Sequence, residues 1–432
     1  MTGPTDATPV TEGLASPVPG VAAVKATRSC RSCRATGMIT VVDLGLQPPA
    51  ERFVDASDLA EPDVRLPLRI LVCPACWLVQ LDGDPVPSED EPGGIAFSIS
   101  STMREHMRSF AEDALGRAAP TPLTIFEVAS HGNRLNETFR SLGARTTLLE
   151  AVPDFARAAR EAGVPTVEER LTPATADLLI GRGRRADLFI DAFYLAHDPR
   201  PAEYLAGVER LLAADGIAAF EFDHLLPVIL DRQYDGFRHG HASYLSLSAF
   251  RRMLARVDLK AVDAVRTTVY GGSLRVFVAH AEASTRASDA VARILSAEDR
   301  AGLDGPEAYE AFADLVEEAR LGLRTFLDDR RREGSVVAGY GAPSRGNTLL
   351  NSSGVGNADL AFVVDRAPSK QGRYLPGSRI QIFAPAKIDE VRPDYLLILT
   401  WDLREEIIGQ MSHVRSWGCR FVVPVPVVTV VD

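Results

Sequence analysis

From Thr124 onward, short apolar runs alternate with stretches whose apolar positions recur every three or four residues. Apolar runs of four to eight residues predict strands, and the longer spacing predicts helices. Strands are expected at Thr124–Ala129, Thr146–Glu150, Ala186–Asp191, Gly216–Phe222 and Leu274–Ala279, with helices such as Asp154–Ala162 and Pro201–Ala213 between them. Such alternation builds a doubly wound parallel sheet. After His280 the pattern changes. Tyr309, Phe312, Leu315, Val316, Ala319, Leu323 and Phe326 fall at helical spacing, with Pro306 suited to the first turn and Gly334 to the end. This segment is predicted to be a connecting helix whose aromatic stripe is ordinary core. A second alternation places strands near Ser335–Tyr340, Leu360–Asp365, Pro393–Thr400 and Arg420–Val425, a smaller Rossmann-like lobe.

The 432 residues exceed what one compact core holds, so two or three domains are expected. Hydrophobic content of 46% with 24% charged residues is that of a globular enzyme. The first 25 residues are rich in Pro, Gly, Ala and Thr and read as a disordered tail, without the basic start and apolar core of an export signal. No apolar run approaches the roughly 20 residues needed to cross a bilayer. A net charge of -11 argues against a nucleic-acid partner, whose phosphates demand many Lys and Arg. A cytoplasmic enzyme acting on a small molecule is the expectation; oligomeric state is not legible.

Four of the five cysteines form two C-x-x-C pairs, Cys30/Cys33 and Cys73/Cys76. Each pair points two thiolates at one centre, and together they complete a tetrahedral sulfur cage for Zn²⁺. Four sulfur ligands leave no open position, so such a metal is structural. Redox motifs or two disulfides are the alternatives, less suited to an intracellular chain. Cys419, alone before an apolar run, reads as a buried core thiol.

The strand ending at Tyr340 runs into Gly341-Ala342-Pro343-Ser344-Arg345-Gly346-Asn347. Small residues after a strand let backbone approach an anion, and Arg345 offers a charged clamp; a tight structural turn is the bland alternative. Together with the knuckles, the segment Cys73–Leu81, the Ser100-Ser101 pair, Gly271–Arg275 and the stretch Gly339–Asn351, this resembles the deoxysugar C-methyltransferases, which methylate a carbon of a nucleotide-linked 4-ketosugar in antibiotic biosynthesis. The resemblance covers nearly the whole chain from Cys30. It implies a zinc module over 26–95, a class I methyltransferase-like Rossmann domain over 96–283 that binds S-adenosylmethionine, connecting helices over 284–334, and a sugar-nucleotide-binding α/β lobe over 335–432. It also implies a substrate contact set of Ser98, Arg275, Tyr340, Gly341, Ala342, Arg345, Asn347 and Lys370.

The sequence departs from the family where the chemistry lies. The cofactor loop, roughly E-I-G-S-N-D-G in the family, reads Glu127-Val128-Ala129-Ser130-His131-Gly132-Asn133. Glu127, Ala129, Ser130 and Gly132 fall at its contact positions, and an added Cβ at Ala129 crowds a cofactor laid on backbone. Glu150 ends the second strand, where a carboxylate takes ribose hydroxyls. The family's Y-H-E-H becomes Arg238-His239-Gly240-His241, and the tyrosine before Ser100 becomes Ser98. Methylation beside a ketone needs a base for the α-proton and a group to steady the enolate. By the resemblance His241 is the base and His197 the enolate partner. His239 reads as structural, and Arg238 offers a guanidinium for a carboxylate or phosphate. Two enzyme readings follow: a C-methyltransferase, or a divergent member that no longer methylates and performs a cofactor-free proton transfer, cyclisation or rearrangement. A non-catalytic binding partner is the third.

Overall fold

Three sheets organise the chain, which the computed structural model describes over residues 29–86, 100–118, 123–128 and 135–431. The expected tail lies outside the described residues. Strands β1 (Ile39–Gln47), β2 (Leu66–Val72) and β3 (Val79–Leu81) form an antiparallel meander between and just after the two cysteine knuckles. The alternation of buried and exposed residues along β1 gives this small sheet one wet face.

The middle of the chain supplies β4 (Ile125–Val128), β5 (Thr146–Leu149), β6 (Thr166–Val167), β7 (Ala186–Ala192), β8 (Leu212–Asp223), β9 (Ser243–Tyr244), β10 (Leu259–Thr267) and β11 (Ser273–His280). Seven of these make one sheet in the order β10-β11-β8-β7-β4-β5-β6. β9 leaves it and pairs instead with β3, so the N-terminal sheet is closed by a strand from the middle of the chain. The expected doubly wound sheet is present, with one addition: β11 runs antiparallel to both β10 and β8. The reason is local. The short link Thr268–Gly272 allows only a hairpin between β10 and β11, because a parallel return needs a crossover of a dozen residues or more. Gly271, at φ +80°, makes that turn possible; a Cβ there would overlap Gln233 and the Trp401 ring.

The expected connecting helix is present as Glu307–Arg332, with Pro306 as its N-cap and Gly334 at φ +74° just beyond. Its stripe of Tyr309, Phe312, Val316, Ala319 and Leu323 is buried against β1–β3 on one side and the last sheet on the other. That sheet contains β12 (Val337–Tyr340), β13 (Val363–Val364), β14 (Ile382–Phe383), β15 (Tyr395–Ile398), β16 (Arg420–Val423) and β17 (Thr429–Val431), in the order β14-β13-β12-β15-β16-β17. Five strands are parallel and only the edge strand β17 is antiparallel. Cys419 is buried in the core of this lobe, as expected. Among the described residues no helix is long and apolar enough to cross a membrane.

Candidate active site at the lobe interface

The two knuckles are built alike. Ser32 N–H and Ala75 N–H donate to the sulfurs of Cys30 and Cys73, and the residues that close the loops, Arg34 and Trp77, take φ of +66° and +60°. The four sulfurs lie within 4.8 Å of one another, and the shortest pairs cross between knuckles: Cys30 to Cys76 and Cys33 to Cys73, both 3.5 Å. A tetrahedron of zinc–sulfur bonds near 2.3 Å has edges of about 3.8 Å, so the donor set fits zinc. None of the four is in a disulfide. Three of them belong to the same core as one face of the central sheet, which makes the knuckles part of the molecule's interior.

That packing sets the histidines. Ala242 N–H and Ser243 N–H both donate to the Ala196 carbonyl, at 2.8 and 3.1 Å, while β9 is held by β3 immediately after the second knuckle. His197 and His241 are thereby brought edge to face, with ring centroids 4.4 Å apart. His197 Nδ1 lies 2.9 Å from the Gly240 carbonyl oxygen and therefore donates to it. Its turn is fixed on both sides: Asp191 accepts Tyr194 N–H at 2.8 Å, and Asp198 is clamped by Arg170 at 2.6 and 3.0 Å. His241 is buried, and its Nε2 accepts from Arg238 Nη2 at 2.6 Å. A guanidinium has only donors, so this contact places the histidine proton on Nδ1. Tyr244 locks Arg238 in place, its hydroxyl accepting the Arg238 N–H at 2.9 Å and donating to the Arg238 carbonyl at 3.2 Å. His239 points elsewhere, into a small pocket with Pro49–Arg52; burial lowers its pKa, opposed by the Leu66 and Pro67 backbone.

At the C-terminal ends of the parallel strands, Glu127 and Glu150 face the place where a Rossmann sheet binds its ligand. Glu127 is wholly buried, which pushes its pKa to about 8, moderated by the Thr146 hydroxyl. Its two oxygens have no well-formed hydrogen bond among the described residues. Burial raises Glu150 to about 7, offset by the backbone N–H groups of Val152 and Ala151. A buried carboxyl with no well-formed hydrogen bond among the described residues, beside a second carboxyl just past the neighbouring strand, suits a ligand carrying an amine and a diol. Ala129, Ser130 and Gly132 lie outside the described residues, as does Ser98.

A cleft of about 630 Å³ separates the β10–β11 hairpin from the last lobe, lined by His224, Gln233, Arg266, Trp401, Asp402 and Glu406 among others. The lobes are locked at its floor. Asp235 accepts from Arg345 Nε at 3.3 Å and from Trp401 Nε1 at 2.7 Å, and the guanidinium lies 4.7 Å from the Trp401 ring centre. At its rim Glu406 accepts from the hydroxyls of Ser100 and Thr102 at 2.8 and 2.7 Å. Burial raises Glu406, but these donors outweigh it and hold the carboxyl at about 2.

Residues 268–426 match the family described as C-methyltransferase C-terminal domain, and residues 30–90 match a family described as a zinc binding domain. C-methyltransferase NovU of Streptomyces niveus is 32% identical over 392 residues, 90% of this chain and 93% of NovU. The chain belongs to the C-methyltransferase family. Two solved structures show partial likeness. N-methyltransferase NodS of Bradyrhizobium japonicum is 15% identical, covering 45% of this chain and 94% of its own, with a TM-score of 0.34. The 1,6-didemethyltoxoflavin-N1-methyltransferase of Burkholderia thailandensis is 18% identical, covering 48% and 96%, with a TM-score of 0.31. Scores this low carry nothing further.

In this C-methyltransferase-family enzyme, several residues expected to grip substrate are already engaged by the protein. Arg345 is buried in the Asp235 lock and donates to Gln233 and the Tyr270 carbonyl. Arg275 is only 1% exposed and braces the sheet against helix Ser101–Arg117 through Glu221 and Asp113. Asn347 donates to the Ala50 carbonyl at 2.5 Å and Lys370 to that of Ala342 at 2.8 Å. Tyr340 is buried in the lobe's core. At Gly341, φ +89°, a Cβ would overlap Thr400, so this glycine serves a tight internal turn. Sequence reasoning passed over Asp223, Asp402 and Tyr270, which gather around Arg238 and Arg345. The signal available for Asp223 was a carboxylate directly after the apolar run Gly216–Phe222, at a strand's C-terminal end.

Proposed function

We propose that this enzyme transfers a methyl group from S-adenosylmethionine to a carbon beside the ketone of a nucleotide-linked sugar, in natural-product biosynthesis. The observation that carries the cofactor half of this reading is the buried Glu127, with no well-formed hydrogen bond among the described residues, beside Glu150 near the C-terminal ends of β4 and β5. When bound, the cofactor supplies an electrophilic methyl group. Glu150 would hold its ribose hydroxyls and Glu127 its amine. The lobe over 335–432 would form one wall of the nucleotide's cleft, with the β10–β11 hairpin as the other. At the reacting end Arg238, whose Nε lies 3.7 Å from Glu51 and whose Nη2 reaches His241, would meet a developing enolate oxygen, with His241 and His197 orienting it. His239 stays neutral and structural.

Calorimetric titration of zinc-loaded protein with S-adenosylhomocysteine tests the reading. Micromolar binding is expected, on the order of -8 kcal/mol, weakened tenfold or more in Glu150→Ala. One observation favours a second reading, a cofactor-free proton transfer or rearrangement: the Arg238 guanidinium stands where the family has tyrosine and caps His241. Absence of any heat from protein shown to be folded would select that second reading.

A further inference from the structure

We propose that Asp223 is the proton acceptor of this site, the catalytic residue that takes the proton from the carbon to be methylated. The inference rests on the reading above, methylation beside a ketone. It begins with what the histidines are doing. The Nε2 lone pair of His241 is occupied by Arg238 at 2.6 Å, while His197 donates its Nδ1–H to the Gly240 carbonyl at 2.9 Å, which leaves Nε2 as that ring's acceptor and makes His197 the rival to be tested. A base must have its lone pair open to the carbon acid.

Asp223 does. It is the last residue of β8, opposite Ser273 of β11, at the C-terminal edge of the central sheet. It precedes His224, which lines the large cleft. Its carboxylate makes no hydrogen bond or ion pair among the described residues, and the residue is half-buried, next in the chain to a lining residue of the crevice. The neighbouring acids are all spent. Glu221 is paired with Arg275 and His106, Asp235 with Arg345 and Trp401, Asp191 with Tyr204, and Asp198 with Arg170. Asp402 sits on the facing lobe and is bonded to its own backbone amide.

The charges around Asp223 suit the task. Arg238 and Arg345 favour its ionised form, Glu221 and Asp235 oppose it, and Tyr244 and Tyr270 stand within reach of its field. Burial dominates and raises its pKa from the ordinary aspartate value, the direction that strengthens a base. Arg238 faces both Asp223 and His241, so the same guanidinium that closes the histidine can receive the enolate oxygen.

The step balances as follows. Asp223 takes the α-proton, and the carbon–hydrogen bonding pair becomes the enolate π bond, with charge on the ketone oxygen at Arg238. That pair then forms the new bond to the methyl carbon, while the sulfur–methyl bond breaks and its pair stays on sulfur. The proton on Asp223 returns to solvent through the cleft.

Proton removal is read without methyl transfer by incubating holoenzyme, S-adenosylhomocysteine and a thymidine diphosphate-linked 4-keto-6-deoxyhexose in D₂O. Deuterium at the carbons beside the ketone is then followed by NMR. Wild type exchanges a proton. Asp223→Asn is expected to slow exchange about 100-fold or more, with S-adenosylhomocysteine affinity and unfolding midpoint retained. Asp223→Glu is expected to restore part of the rate with a shifted pH profile, and His241→Gln to cost tenfold or less. Wild-type exchange rates in Asp223→Asn would overturn the assignment, as would loss confined to His197→Gln, His241→Gln or Asp402→Asn. A wild-type enzyme that binds S-adenosylhomocysteine but never exchanges the ketosugar would instead overturn the C-methylation reading for this substrate class, and the role of Asp223 with it.

Discussion

Glu127 sits near the end of β4 with no cation beside it among the described residues, and its proton is what makes that position tolerable. Desolvation lifts its pKa from 4.5 to about 8, so the folded protein keeps a proton that the unfolded chain gives up. Stability from the neutral carboxyl is complete below about pH 4.5 and is lost as pH rises towards 8. Glu127→Gln is therefore expected to be closer to wild type at pH 5 and more stable by roughly a few kcal/mol at pH 8. Denaturant unfolding of ligand-free protein at both pH values measures this. Glu150 and Asp191, both raised by burial to about 7, slope the same way but remain in both proteins, so the difference isolates Glu127. Parallel stability curves would show that Glu127 is charged and has found a donor.

At the scale of elements, the decisive contact is between β3 and β9. The second knuckle ends at Cys76, β3 starts at Val79, and β3 pairs with Ser243–Tyr244 two residues after His241. Arg31, inside the first knuckle, donates to the Pro199 carbonyl at 3.2 Å, close to His197. A zinc ion in this cage would therefore hold both histidine segments, although neither touches it. Metal affinity in such sites is folding energy. Chelation, or Cys73→Ser, is expected to lower the unfolding midpoint by ten degrees or more. It should also abolish enzymatic activity before the central sheet melts. Circular dichroism alongside activity during a chelator titration distinguishes this from unfolding of the whole chain. Unchanged activity in fully metal-free protein would show that the knuckles hold β9 unaided.

The whole molecule is held by a core that runs from β1–β3 through helix Glu307–Arg332 into the last sheet, and by the Asp235–Arg345–Trp401 lock across the cleft. Removing one member of a buried pair strands its partner, at a cost of about 3–5 kcal/mol. Asp235→Ala is expected to lose that much in denaturant unfolding, because Arg345 loses its counter-charge and the Trp401 indole its acceptor. A loss below about 1 kcal/mol would mean that Gln233 and the Tyr270 carbonyl suffice to hold Arg345.

Much of this was legible in the chain. Apolar periodicity marks the five central strands and the long helix because those elements bury a face whose repeat is set by backbone geometry alone. The C-x-x-C spacing marks the metal cage because a four-residue loop aims its own two sulfurs, and the ordered motifs mark the family. Other features depend on neighbours distant in sequence. The antiparallel β11 follows from a turn that only two glycines can make, and β9 shows no pattern of its own in two residues. Arg345 follows a strand like a phosphate clamp, yet tertiary packing sets it against Asp235, 110 residues away. The sequence by itself determined the element order, the family and the residue types available for chemistry, since these depend on local spacing. Which polar side chains are spent on the protein and which stay open, as with His241 capped and Asp223 without a partner among the described residues, was decided only by the tertiary structure. Hydrogen-bond partners are chosen by proximity in space, and burial sets how much each unpaired group costs.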